Sequence, residues 1–302
     1  MRIGTPIILG QIGLILVSLA DNIMVGKYHT DALASASFVN NIFSVFFVLG
    51  LGFSYGLTPL VSQAHARQQS SRLGRLLRHS LLLNLAVGLL LSLLLVGVYA
   101  FLPIFDLPER LLPEVRSYYL LQLASFMVFM ATGALKQFFD GIGRTIVPMW
   151  AILLSNVLNV LGNYLLIFGA LGCPELGLFG AGLSTLFARI FALGVLLVAL
   201  RYSRTLGVTY RYVRELRLHA AFLRRLFRLG FPIGVQMGVE AAAWTVAILL
   251  VTPLGVNALA VHQNLITLTL LGYFIYYGLG AATTILVSRA YGEGDVARAR
   301  GV

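Results

Sequence analysis

Charge is what this sequence has least of. Asp, Glu, Lys and Arg make up only 11% of its 302 residues, against 59% hydrophobic, and the mean hydropathy is +0.89. So little charge cannot coat a soluble globule, and the composition is that of an all-α polytopic membrane protein. Acidic groups are the scarcer sign, 11 against 22 basic, for a net charge of +11. Cysteine occurs once, at Cys173, which excludes an internal disulfide. No small-x-small cleavage site follows the first apolar run, so that run reads as an uncleaved helix. Ser-His-Asp, metal-ligand and dinucleotide constellations are missing. The glycines of Asp140-Gly-Ile-Gly-Arg144 have neither the preceding strand nor the following Lys-Ser/Thr of a phosphate loop. The expectation is a protein that is not an enzyme and carries no cofactor.

Apolar runs fall at 6–25, 37–62, 80–103, 117–138, 146–169, 178–200, 231–254 and 258–288, giving eight candidate spans. The runs at 37–62 and 258–288 exceed what a straight crossing needs, and are expected to tilt, bend or project. With the N-terminus inside, 18 basic residues fall in cytoplasmic segments, Lys136 counted among them. Lys27, Arg110 and Arg116 fall outside, and Arg189 lies within a span. This asymmetry is the positive-inside bias; it places the chain in the inner (plasma) membrane and accounts for the net charge without nucleic acid.

The chain repeats itself at an offset of 226. Gly4 meets Gly230, Pro6 meets Pro232, Gly52 meets Gly278, Thr58 meets Thr284, and Leu60-Val-Ser62 meets Leu286-Val-Ser288. Six spans separate the copies, so both begin on the same side: a parallel repeat about an axis along the membrane normal. Three segments follow: a six-helix lobe at 1–200, a cytoplasmic linker at 201–230, and the first two helices of a second lobe at 231–302. The second copy holds two of its six spans, so the chain is expected to be a fragment. In the linker, Ala221, Phe222, Leu226 and Leu229 share a helical face. Two readings stand for it, a helix lying on an anionic leaflet and a plain linker helix.

Polar groups inside spans carry the functional expectation. Asp21 stands in the first span, where an ionisable group costs on the order of 3 kcal/mol unless it faces protein or a wet cavity. The alternative is an Asp that reaches the headgroups from the span's end. Asn159 and Asn163, four apart, share a face of the fifth span; Thr185 and Arg189 do so in the sixth. At 1.5 Å per residue, Asp21, Asn163 and Thr185 lie about 8, 9 and 10 Å below one membrane face, with Asn159 a turn deeper. Oxygen ligands with one carboxylate suit Na⁺ or a proton; the competing reading is helix–helix glue. Glu240 lies about 14 Å from one end of the seventh span and about 21 Å from the other. It fits a proton carrier or cation partner, or else an ion pair with Arg189. Gln11, His262 and Gln263 are further candidates for a cavity lining.

The sequence resembles the multidrug and toxic compound extrusion (MATE) family, in its NorM-like branch. The matching stretches include Leu19-Ala-Asp-Asn-Ile-Met-Val-Gly26, Gly52-Phe-Ser-Tyr-Gly-Leu-Thr-Pro-Leu-Val-Ser-Gln63, Phe139-Asp-Gly-Ile-Gly-Arg144, Pro174-Glu-Leu-Gly-Leu-Phe-Gly-Ala-Gly182 and Tyr291-Gly-Glu-Gly-Asp295. The resemblance implies twelve spans in two lobes, a monomer when full length, and export of toxic organic cations and amphipathic drugs in exchange for Na⁺ or H⁺. It implies cation ligation by Asp21, Asn159, Asn163 and Thr185, and coupling at Glu240. Arg189 departs from the family pattern. The alternatives are a lipid-linked precursor flippase, which calls for many basic residues in the cavity, and a non-transporting membrane scaffold.

Overall fold

The computed structural model describes residues 4–102, 108–203, 212–213, 219–251, 256–295, 297 and 299. Nine α-helices are described among them, besides one 3-10 turn at Ala170–Gly172: α1 Gly4–Tyr28, α2 Thr30–Tyr55, α3 Leu57–Ala66, α4 Ser70–Ala100, α5 Leu112–Gly141, α6 Ile146–Ile167, α7 Gly177–Tyr202, α8 Ala220–Val251 and α9 Val256–Glu293. Seven segments among the described residues are long and apolar enough to cross a membrane, α2 and α3 counting as one. The 38-residue α9 corresponds to the eighth apolar run and, at about 57 Å, outruns a bilayer core. The long second run does bend. Pro59 has no N–H to offer the carbonyl of Tyr55, so the backbone ladder is interrupted and the chain restarts as α3 after Gly56.

The seventh span differs from expectation. The amphipathic stretch of the linker and the span that follows form one helix, α8, which runs through Pro232. The stretch stays helical because it docks on protein. Leu226 is buried with Leu73, Leu76 and Leu77 of α4, and Phe222 packs against the same cluster. His79 of α4 fixes the start of α8: its Nδ1 lies 2.7 Å from the Arg75 carbonyl, and its Nε2 accepts from the His219 N–H at 2.9 Å. The linker residues 204–211 and 214–218 and the Pro253-Leu-Gly255 stretch lie outside the described residues.

α1 to α7 form the main bundle; α8 and α9 pack chiefly against α2 and α3 rather than on each other. The join lies at one end of the bundle, the end that carries Arg67, Arg72, Arg144, Arg224, Arg225 and Arg289. There α2 and α8 cross with their backbones touching: a Cβ on Gly56 would stand 2.6 Å from the Gly230 nitrogen, and one on Gly52 2.8 Å from Gly234 Cα. Close approach of this kind is how helices associate without a hydrophobic drive. A looser counterpart occurs where Gly4 of α1 faces Gly278 of α9: a Cβ on Gly4 would lie 3.5 Å from the Gly278 carbonyl oxygen. These are the repeat partners of Gly230 and Gly52, while Ala282 and Ile8 stand where the first crossing has Gly56 and Gly234, so the crossing recurs in place but with two side chains in it. Ser62 Oγ donates to the Ile285 carbonyl at 2.8 Å, and Arg67 Nε to the Gly292 carbonyl at 3.0 Å, extending the seam.

The seam predicts an asymmetry among glycines. Gly56→Val is expected to destabilise the protein by about 1–3 kcal/mol or more, because backbone cannot move aside. Gly97→Ala, at a site with nothing within 4 Å, is expected to be neutral or stabilising. Unfolding titrations of the two variants in detergent check this.

Candidate functional site

α1, α2, α5, α6 and α7 line a half-open cavity of ≈ 550 Å³. Its walls form because α6 and α7 run unusually close: a Cβ on Gly180 would lie 2.5 Å from the Leu166 carbonyl oxygen. That approach brings the polar face of α6 against the polar face of α7. Asn159 Nδ2 donates to Thr185 Oγ1 at 3.2 Å, and the Thr185 hydroxyl donates onward to the Ala181 carbonyl at 3.0 Å. One turn along, Asn163 Nδ2 donates to Asp21 Oδ1 at 2.5 Å and lies 3.5 Å from Asn159 Oδ1. α1 is held in register by Asn156, whose Nδ2 donates to the Gly13 carbonyl at 2.7 Å.

Asp21, Asn163, Asn159 and Thr185 therefore form one hydrogen-bonded chain across three helices. Asp21 faces this interior instead of reaching out to headgroups, and α1 continues two turns beyond it. An amide N–H pointed at Asp21 is the orientation that a deprotonated carboxylate requires. The same orientation leaves Asn163 Oδ1 buried with no hydrogen-bond partner. A buried acceptor left unpaired costs about 1–3 kcal/mol. A cation bound beside Asp21 would recover that cost, since it draws on oxygens alone; carboxylate, amide and hydroxyl oxygens are all within the chain.

A second polar ladder faces the first, and the sequence reading missed it. Tyr118, Gln122, Ser125 and Phe129 recur at spacings of four, three and four, which is one face of α5; that period inside a span was the available signal. Gln122 Nε2 donates to Asn40 Oδ1 at 3.1 Å and to the Tyr118 hydroxyl at 2.9 Å, and Ser125 Oγ accepts from Arg189 Nη1 at 2.6 Å. The Arg189 guanidinium lies over Phe47, 4.6 Å from the ring centroid, with Phe129 at 5.8 Å. Arg189 thus turns to α5 and not to Glu240.

Gln11 lines the cavity and hydrogen-bonds Tyr277 of α9, whose hydroxyl in turn meets Tyr55 of α2. Glu240 is exposed on α8, away from the cavity and within electrostatic reach of Tyr273. The structure does not bring it to Asp21, because α8 lies on the far side of α2, with Gly238 against Leu49. His262 sits in α9, its Nε2 buried without a partner among the described residues. The side chain of Gln263 lies outside the described residues.

Lys136 needs correction. It was counted among cytoplasmic loop residues but stands inside α5, one turn before the helix end, and pairs with Asp140 at 2.9 Å with both side chains largely buried. Proximity to a span end misassigned it; the i,i+4 acid shows where it belongs. It lines both the large cavity and a second one of ≈ 310 Å³ between α5 and the α8–α9 pair. Arg189 is therefore not the sole basic group at depth.

The MatE family model matches residues 6–165 and 232–302. The chain belongs to the MatE family. Its residues align at 30% identity, over 99% of the chain and 64% of the relative, with the "Probable multidrug resistance protein NorM" of Bradyrhizobium diazoefficiens. Against the "Multidrug resistance protein MdtK" of Pectobacterium atrosepticum the identity is 31%, over 99% and 65%. The fold matches that of a multidrug resistance MATE family transporter of the MOP superfamily in an outward-facing conformation. That match has a TM-score of 0.85 and 22% identity, and covers 99% of this chain and 66% of the other. The chain spans about 64% of the length of the NorM relative. This MatE chain is a multi-pass membrane protein, and its relatives are transporters, not enzymes.

The buried pair of this MatE chain generates a stability prediction. Lys136→Met alone is expected to cost about 3–5 kcal/mol, because Asp140 is left charged and unpaired. Lys136→Met with Asp140→Leu should recover most of that loss. Unfolding free energies of the single and double variants are the measurement.

Proposed function

We propose that the protein is a cation-coupled exporter of small organic compounds, with Asp21 as the coupling acid. The observation that carries this reading is the chain Asp21–Asn163–Asn159–Thr185, with one carboxylate and one unpaired buried amide oxygen at a cavity wall. Na⁺ or a proton at Asp21 removes the one negative charge of the chain and gives Asn163 Oδ1 a partner, directly or after the amide turns. The relatives' names, which speak of multidrug resistance, support drugs as the exported class, and the single carboxylate of the cavity wall suits toxic organic cations among them.

The membrane arrangement belongs to the same proposal. The N-terminus lies on the cytoplasmic side of the inner membrane, which puts the arginine-rich end, and with it the glycine seam, inside. The seam between the α8–α9 pair and the main bundle is then on the cytoplasmic side, and in this reading the outward-open state is the one in which the pair parts from the bundle at the other end. Cation binding to this outward-open state and compound binding to the inward-open one drive opposite shifts. Transport requires each ligand to prefer one state, since a ligand with equal affinity for both moves nothing.

Asp21→Asn is expected to abolish export driven by a cation gradient while leaving the protein inserted in the membrane. Dye efflux in everted vesicles, normalised to the amount of protein inserted, measures it. Export at the wild-type rate rejects Asp21 as the coupling site.

A further inference from the structure

The charges on the cavity wall do not match a site for cations alone. Asp21 contributes one negative charge and Arg189 one positive charge; Lys136 is neutralised by Asp140. With Asp21 ionised, the cavity is neutral as it stands. With Asp21 neutralised by a proton or Na⁺, it holds one uncompensated guanidinium, an arrangement that low-dielectric surroundings penalise until an anion joins it.

Arg189 is built to receive that anion. Ser125 Oγ accepts from Nη1 at 2.6 Å, and the Ser125 hydroxyl is itself oriented by the Gln122 carbonyl at 2.9 Å. Phe47 supports one face of the guanidinium at 4.6 Å. These contacts fix the plane of the group and draw on one of its nitrogens, while the residue lines the cavity. A planar, fixed guanidinium that lines a cavity suits the two oxygens of a carboxylate. A single cation balances a single negative charge, so a phosphate monoester, with about 1.5 to 2 charges, fits worse. The ring faces of Phe129 and Tyr118 beside it, and a volume of ≈ 550 Å³, suit an apolar ring system.

We propose that this cavity binds aromatic monocarboxylates, with Arg189 as the anchoring residue and with neutralisation of Asp21 favouring their binding. The proposal rests on the Asp21 site described above. It also fixes the sign of coupling in the cavity. A cationic compound and the coupling cation oppose one another there, whereas a carboxylate and the coupling cation assist one another, and by linkage each tightens the other's binding to the same degree.

The test uses the 302-residue chain in detergent and three probes with one ring system: naphthalene-2-carboxylate, its neutral amide, and naphthalen-2-ylmethylammonium, each titrated calorimetrically. Wild-type protein is expected to prefer the carboxylate to the amide. Asp21→Asn, which removes the charge as a bound cation would, is expected to tighten the carboxylate about tenfold and to weaken the ammonium compound. Arg189→Gln should weaken the carboxylate tenfold or more and leave the amide unchanged. Arg189→Lys, which keeps the charge, should retain carboxylate binding to within about fivefold and so controls for folding. The proposal is overturned if Arg189→Gln weakens all three probes alike. It is equally overturned if neither the wild-type nor the Asp21→Asn chain binds the carboxylate in preference to the amide. Failure of coupling at Asp21 is read separately, from cation-driven efflux, and does not move the ranking of the three probes in wild-type protein.

Discussion

A single carboxylate kept inside an apolar bundle sets the terms for the rest of this structure. Asp21 has no cation within hydrogen-bond distance; it has an amide, Asn163, and the amide has a second amide and a hydroxyl behind it. That relay exists only if α6 and α7 touch, which is why Gly180 must be small, and only if α1 lies at the correct height, which Asn156 enforces by bonding the Gly13 carbonyl. The opposite wall answers the same constraint from the other sign. Arg189 is also deep, and it is kept there by an aromatic face and a serine rather than by the acid. Acid and guanidinium therefore remain chemically available to third parties, where a direct ion pair would have consumed both.

Much of the first wall was legible because a membrane helix is a ruler. Every residue advances the chain by the same 1.5 Å, so counting from span ends put Asp21 and Asn163 at one height, where they bond; Thr185, counted to that height as well, pairs instead with Asn159, one turn away. Heights survive ambiguity in span limits of a residue or two to within about a turn. Azimuth does not survive it, and the facing ladder of Asn40, Tyr118, Gln122 and Ser125 is an azimuthal fact: it depends on which faces of α2 and α5 turn inward. Glu240 shows the same limit. Its depth on α8 followed from counting, but which way it points depends on how α8 leans on α2, and that is decided by the glycine seam.

Two other differences share one cause, the reading of segment ends by composition. Lys136 lies near the end of α5 and was assigned to water; its acid partner one turn later keeps it in protein. Pro232 and the arginines before it look like the start of a new span, so Ala220–Gly230 was set apart as a linker. The helix continues across because Phe222 and Leu226 find apolar partners on α4, and tertiary packing outweighs the local break. The repeat itself was visible at an offset of 226, and the structure adds where the matched glycines lie: Gly52 and Gly230, and Gly4 and Gly278, stand on the seam where the copies meet.

That seam lies near one end of long, stiff rods, and this has a mechanical meaning. From Gly230 to Val251 α8 extends about 32 Å, so a tilt of about 10° at the crossing displaces its far end by about 5–6 Å. Backbone meets backbone where Gly52 and Gly56 approach Gly230 and Gly234, so the pivot of such a tilt lies on the chain itself. The seam is a fulcrum: it holds position while converting small rotations into a mouth wide enough to pass a ring system. A bulkier residue at this place would wedge the levers in one attitude, which is a reason for glycine distinct from the tightness of its fit.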